Sequence, residues 1–198
     1  EVAMAFDALP SGVRLVPDII DEAQEAALLR AVDAGAWETC GTGHRSQQFG
    51  WWRPHLLTQA GQSERFLGAL PDWAAPLVSR LHLLAPFDRA PDHLVVRELG
   101  PGADPQLRRG EGHIVAMLAL AADLPLMFRR RSGAGQWHLL QARRSLLVLT
   151  ERFDRDWDRT ILPQAEPGPQ SVAAGPVSRD AEPPARRLTL TFRRVSQD

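Results

Sequence analysis

The chain has 198 residues, 23 basic against 24 acidic side chains, a formal net charge of −1 and 44% apolar residues. That is enough for a real hydrophobic core, and it lacks the basic excess that would by itself mark a nucleic-acid binder. The single cysteine, Cys40, excludes an intramolecular disulfide and a multi-cysteine zinc site, and no run approaches the roughly 18 apolar residues of a membrane helix, so no membrane insertion is expected.

All basic residues are arginine, and Lys, Asn and Tyr are absent altogether. Such a bias toward Arg, Ala, Gly and Pro reads as GC-rich coding before it reads as a binding signature. The chain begins at Glu1 rather than at Met; removal of a targeting peptide would leave such a start, and the mitochondrion is the compartment this favours.

In chain order, Val13 to Val16 reads as a strand stopped by Pro17. A helix follows, with Asp21 and Gln24 as a capping box, Ala23, Ala27, Leu28 and Val32 at helical spacing, and Gly35 as its stop. Glu22 and Glu25 are expected on a solvated acidic face near the positive end of the helix dipole. Gln47 to Arg53 is aromatic and reads as extended. Leu70 to Leu84 is a second helix, opened by Pro71 and Asp72, with Trp73, Leu77, Leu81 and Leu84 as its apolar stripe.

Two apolar runs, Leu94 to Val96 and Ile114 to Leu120, flank a loop rich in Gly, Pro and Arg. Leu126 to Arg131, Gln136 to Gln141 and Ser145 to Thr150 are further short strands, a spacing that indicates an antiparallel sandwich or barrel. Asp154, Asp156 and Asp158 alternate with Arg and Trp and are read as a solvated, internally paired loop. Residues 163–185 hold six prolines and almost no large apolar residues, the composition of an irregular insertion. In the closing strand, Arg186 to Val195, Arg187, Thr189, Thr191 and Arg193 share one face, which must meet solvent or line a polar cavity.

The segments QQFGWW, LPDWAAPLVSRL, DHLVVRELGPG, MFRRRSG, SLLVLT, RDWDR and RRLTLTFR occur in this order. They resemble the AlkB-like family of iron(II) and 2-oxoglutarate dioxygenases over about Arg14 to Val195. The resemblance implies a mainly β fold with flanking helices (α+β): a double-stranded β-helix, or jelly-roll, with two N-terminal packing helices, as a single domain over residues 1–198. It also implies that Arg187 and Arg193 stand where the family binds the 2-oxoglutarate carboxylates.

The metal half of the pattern is broken. The family's His-x-Asp pair falls at Pro105 and Leu107, no His lies between His93 and His113, and the distal His position is Arg159. Arginine there is permanently charged and repels a divalent cation. The family's cosubstrate-contacting Asn and Tyr fall at Arg97 and Leu99. Glu111, His113 and His138 are the only substitute ligands that suggest themselves, and an isolated pair of this kind is a weak signal.

These departures imply a degenerate member of the family: no metal, no catalytic residue, and no bound iron or 2-oxoglutarate as cofactor. The expected role is an interaction subunit of a larger assembly with protein partners, and RNA as a further partner, as in an organellar ribosome. Arg108, Arg109, Arg129, Arg130 and Arg131 are candidate contacts, since arginine forks suit phosphate. Trp51 and Trp52 must face opposite ways in a strand, and Trp52 is the candidate surface anchor. The rival readings are an active oxygenase or demethylase with substitute ligands, and a metal-free dicarboxylate sensor that uses Arg187 and Arg193.

Overall fold

The computed structural model describes residues 9–40, 43–53, 63–100, 103, 105–163 and 186–195. The proline-rich stretch 163–185 lies, apart from Pro163, outside the described residues. The elements in chain order are β1 (Val13–Val16), α1 (Glu22–Asp33), β2 (Glu38–Thr39), β3 (His44–Trp52), β4 (Arg65–Phe66), α2 (Ala75–Leu84), β5 (His93–Leu99), β6 (Gln106–Arg108) and β7 (Val115–Leu120). After these come β8 (Leu124–Arg130), β9 (Gln136–Gln141), β10 (Leu146–Leu149), α3 (Glu151–Asp156), β11 (Trp157–Ile161) and β12 (Arg187–Arg193).

Among the described residues the strands form two antiparallel sheets. The major sheet runs β1-β10-β7-β12-β5-β3-β2, with β4 added on β3, and the minor sheet runs β6-β11-β8-β9. This is the expected jelly-roll. Its logic is the period of two along each strand. On β12, Leu188, Leu190 and Phe192 join one core with Leu94 and Val96 of β5 and with Leu28, Val32, Leu77 and Leu81 of the two helices. The alternate residues face the minor sheet, where Leu99, Met117 and Leu147 meet Leu126, Phe128 and Ile161. The major sheet therefore has an apolar core on each side, and α1 and α2 cover its outer one.

The capping box at α1 forms as expected. The Gln24 N–H donates to Asp21 Oδ1 at 2.8 Å and the Asp21 N–H to Gln24 Oε1 at 3.1 Å. Leu28 and Val32 are buried on its inner face, each worth about 1.5–3 kcal/mol of apolar burial. The second helix begins with a 3₁₀ turn, Asp72–Ala74, and becomes α-helical at Ala75, so Pro76 falls in the first α turn, where its missing N–H is no loss.

Glu25 departs from the expectation of a solvated acidic face. Its side chain is buried, takes the Ala121 N–H at 2.8 Å and receives Arg143 Nε on both oxygens at 2.9 and 2.8 Å. Burial pushes its carboxyl up, but the Arg143 hydrogen bonds, the Ala121 amide and the charges of Arg143 and Arg144 outweigh that, so it stays below the usual range. The reason lies in the turn after β7, where Ala121 takes a positive φ of 70° and presents its amide to the helix. Glu25→Ala leaves that amide unpaired, and urea unfolding is expected to report a loss of about 2 kcal/mol. A loss near zero would show that the contact is only a surface ion pair.

The aspartates after β10 also depart from the loop reading. Thr150 caps α3 by accepting the Phe153 N–H, and Asp154 is buried. Its Oδ2 accepts the backbone N–H groups of Glu111, Gly112 and His113 at 2.9, 3.0 and 3.2 Å. Gly110 is required in that turn, because a Cβ there would lie 1.3 Å from the Asp154 carbonyl oxygen. One carboxylate thus fastens the loop before β7 to α3.

Candidate functional site

The closing strand's polar row faces inward. Arg187, Thr189 and Thr191 are buried and Arg193 is half-buried, so of the two alternatives left by the alternation, the interior one holds. In register with it on β5, Arg97 lies opposite Thr189 and His93 opposite Arg193. On β3, Ser46 lies opposite Arg97 and Gly50 opposite His93.

The minor sheet contributes from the other side. Arg159 of β11 is a register partner of Arg108 on β6 and of Phe128 on β8. Register partners share a sheet face, and Phe128 belongs to the inter-sheet core, so both arginines face inward. Arg159 is only 5% exposed, whereas Arg97, Arg108 and Arg193 are half-buried. Arg97, Arg108, Arg159 and Arg193, from two sheets and four strands, therefore point into one region.

Electrostatics agrees with that convergence. Burial, then Arg108 and Arg193, push the Arg97 guanidinium well below its ordinary pKa. Burial, then Arg193, bring both Arg108 and Arg159 down to about 10. Buried Arg97 Nε and Arg159 Nη1 have no hydrogen-bond partner among the described residues. The carboxylates that act on this group of arginines are otherwise engaged. Asp154, beside Arg159 and Arg193, holds three amides. Glu111, beside Arg108 and Arg193, pairs with Arg53 while its Oε2 lies 3.6 Å from His113 Nε2.

Arg187 is held differently. It is 2% exposed and donates from Nη1 to the Leu162 carbonyl oxygen at 2.7 Å, while its Nε has no hydrogen-bond partner among the described residues. Arg193 and Arg187 are thus separated along the same face, and Arg187 is tied to the minor sheet's end at Leu162.

The donor set among the described residues does not fit a resident iron. Among the described residues no group of three or more His, Cys, Asp or Glu side chains is placed to hold a metal. Leu107 faces outward at 52% exposure and Pro105 is exposed. Arg159 stands at the position that resembles the family's distal ligand. His138, the third substitute ligand considered, stands on the exposed face of β9 and contacts Gln136 Nε2 at 2.6 Å, so it cannot join Glu111 and His113.

The surface candidates separate as well. Arg109, Arg129, Arg130 and Arg131 are exposed, and Arg131 donates from Nε to Asp158 Oδ1 at 2.8 Å. Arg108 belongs to the interior instead, because neighbouring strand residues point opposite ways. Arg143, Arg144 and Arg186 do not extend this patch. They lie at the α1 side, paired with Glu25, Glu22 and Asp33. Trp52 is 3% exposed, with Arg65 stacked 4.8 Å over its ring, so it is not a surface anchor. Its neighbour Trp51 is half-buried against Phe66 at 5.5 Å. Among the described residues no helix is long and apolar enough to cross a membrane.

Sequence reasoning placed Arg97, Arg159 and Arg193 individually but missed that Arg97, Arg108 and Arg159 converge with Arg193. The period of two on β12 and the family positions of Arg97 and Arg159 were the available signals. Arg108 was singled out only as a surface contact beside Arg109, and nothing local marked it as interior, because it sits in a stretch read as loop.

No family model matches the chain. Over 130 residues it is 31% identical to the alkylated DNA repair protein ALKBH8 homolog of Arabidopsis thaliana. That match covers 61% of this chain and 37% of the relative, so the chain spans well under half the relative's length. Among solved structures the fold is similar to OsALKBH1, with a TM-score of 0.61 at 13% identity, covering 95% of this chain and 99% of that one. It is also similar to a prolyl-4-hydroxylase of Pseudomonas putida, with a TM-score of 0.52 at 16% identity, covering 92% and 93%.

Proposed function

We propose, on the premise that this chain is an AlkB-like dioxygenase-fold domain, that it works as a binding and interaction subunit and not as an iron-dependent oxygenase. The observation that carries the reading is Arg159. A buried guanidinium stands at the position that resembles the family's distal metal ligand, with Arg97, Arg108 and Arg193 facing the same region. Cations already held there repel a divalent metal, and guanidinium has no lone pair to donate.

Activating oxygen on a metal requires the protein to fix ligand number and geometry with open positions. Here those positions are lost together, so the step is removed rather than slowed. What remains is a two-sheet scaffold with exposed arginines at Arg109, Arg129 and Arg130. Exposed guanidiniums suit an acidic partner surface in a larger assembly, either protein or RNA.

The test crosses Mn(II), as a redox-silent iron surrogate, with 2-oxoglutarate in thermal unfolding, since any ligand of the native state raises apparent stability. The expected result is no shift that requires both. A shift needing both, together with metal-dependent 2-oxoglutarate turnover, would overturn the reading and direct attention to Glu111 and His113.

A further inference from the structure

We infer that Arg97, Arg108, Arg159 and Arg193 form a binding site for a compact, multiply charged oxyanion of the phosphate class, taken up without a metal ion. The inference rests on the non-oxygenase reading above and extends it from what the site has lost to what it can hold.

Geometry comes first. Two guanidiniums come from the inner face of the major sheet and two from the inner face of the minor sheet. An anion between the sheets would be gripped from both sides, and the half-buried side chains of Arg97, Arg108 and Arg193 leave an approach from solvent.

Unmade hydrogen bonds come second. Buried polar atoms in native proteins are overwhelmingly paired, and a charged donor left unpaired is expensive. Arg97 Nε and Arg159 Nη1 are both buried without a hydrogen-bond partner among the described residues. They belong to different sheets, yet they face the same region. A ligand with several acceptor oxygens satisfies both at once, and Thr189 and Thr191 on the same inner row add hydroxyls.

Charge distribution selects the ligand class. A dicarboxylate needs a cation at each end, and Arg187, which resembles the family's carboxylate grip, donates from Nη1 to the Leu162 carbonyl oxygen, so that of its buried donors Nε is left without a partner among the described residues. The positive charge is gathered instead around Arg159, where the family holds its metal. Several guanidinium forks around one point suit a phosphate group, which offers several oxygens and about two negative charges in a small volume.

The experiment uses the full chain treated with a chelator, titrated with inorganic phosphate and with pyrophosphate at ionic strength held constant by sodium chloride. Saturable binding is followed by calorimetry, and folding of every variant is checked by circular dichroism. The expected result is metal-independent binding, weakened about tenfold or more by Arg159→Gln and by Arg97→Gln and unchanged by Arg30→Gln, a surface change on α1. If either buried variant fails to fold, Arg193→Gln, at a half-buried position, supplies the same comparison.

Absence of saturable binding by the folded protein, with or without Mn(II), would sink this inference and leave the non-oxygenase reading standing. Tighter binding of 2-oxoglutarate than of either phosphate, lost in Arg187→Gln, would overturn the phosphate class. Anion binding that requires Mn(II) would sink both this inference and the reading beneath it.

Discussion

Methionine in place of Arg159 is expected to make the anion-free protein more stable, by about 2 kcal/mol, or roughly 4–8 °C in thermal midpoint for a chain of this size. Most substitutions of buried residues destabilise, so the sign is the informative part. Arg159 is 5% exposed, and its Nη1 lacks a hydrogen-bond partner among the described residues. Burial and then Arg193 work against its charge, while Asp154 works for it, and the balance leaves its pKa at about 10.

Methionine keeps the length of the stem and adapts to irregular space, so the change removes an uncompensated charge while retaining most of the packing. The measurement is thermal and urea unfolding in chelator, with chloride as the only anion. A lowered midpoint would show that the guanidinium holds the fold together more than it strains it. If phosphate binds as inferred, the ordering reverses at high phosphate, because only the wild type gains the ligand's stabilisation.

Acid is expected to weaken this fold, with His93 accounting for a measurable share of the loss. The imidazole is 2% exposed, and neither ring nitrogen has a hydrogen-bond partner among the described residues. Burial, then Arg193, Arg53 and Arg97, push its pKa down from 6.5 to about 2. Above pH 6.5 the ring is neutral in both folded and unfolded chains and contributes no pH dependence. Between pH 6.5 and about 2 the unfolded chain takes up a proton that the folded chain refuses, so unfolding is favoured as pH falls.

The slope from one such proton is about 1.4 kcal/mol per pH unit. His113 is shifted the same way, by burial and then Arg53, and adds to the trend. Unfolding free energies from pH 7 to 5, compared between the wild type and His93→Leu, separate His93 from the carboxylates that titrate in both proteins. The variant's curve is expected to be flatter by up to that slope. Parallel curves would mean that the ring finds water or a partner in solution.

The architecture was legible because its signals are local. Val13 to Val16 and Gln136 to Gln141 match β1 and β9 residue for residue, and the Asp21–Gln24 capping box fixed the start of α1. Alternation on the last strand reduced its polar row to two possibilities. It could not choose between them, because that choice depends on what packs over the strand.

The misses have particular causes. β6 was hidden inside a loop-like stretch because a three-residue strand between glycines and prolines carries no periodicity, and its partner β11 lies some fifty residues later. α3 has only six residues, too few for a helical pattern to stand out from alternating Asp and Arg. Trp51 and Trp52 had to face opposite ways, but adjacency alone does not say which is inside. Glu25 was misplaced because its partners, Ala121 and Arg143, are about a hundred residues away in sequence.

The site was legible only in fragments. Arg97, Arg108, Arg159 and Arg193 lie on four strands of two sheets, and their common direction is a product of register. The missing metal ligands could be noticed one position at a time. What replaced them could be seen only after the strands were laid side by side.

The separation of the major sheet's two cores bears on how such a domain can change over generations. Along β5 and β12, alternate positions serve different clients: one set anchors the helices, the other faces the minor sheet. A lineage can therefore vary the polar members of the inward set, such as Arg97 and Arg193, while the outward set that anchors the helices stays as it is. Much of the polar chemistry and part of the shape are carried on alternate letters of the same words.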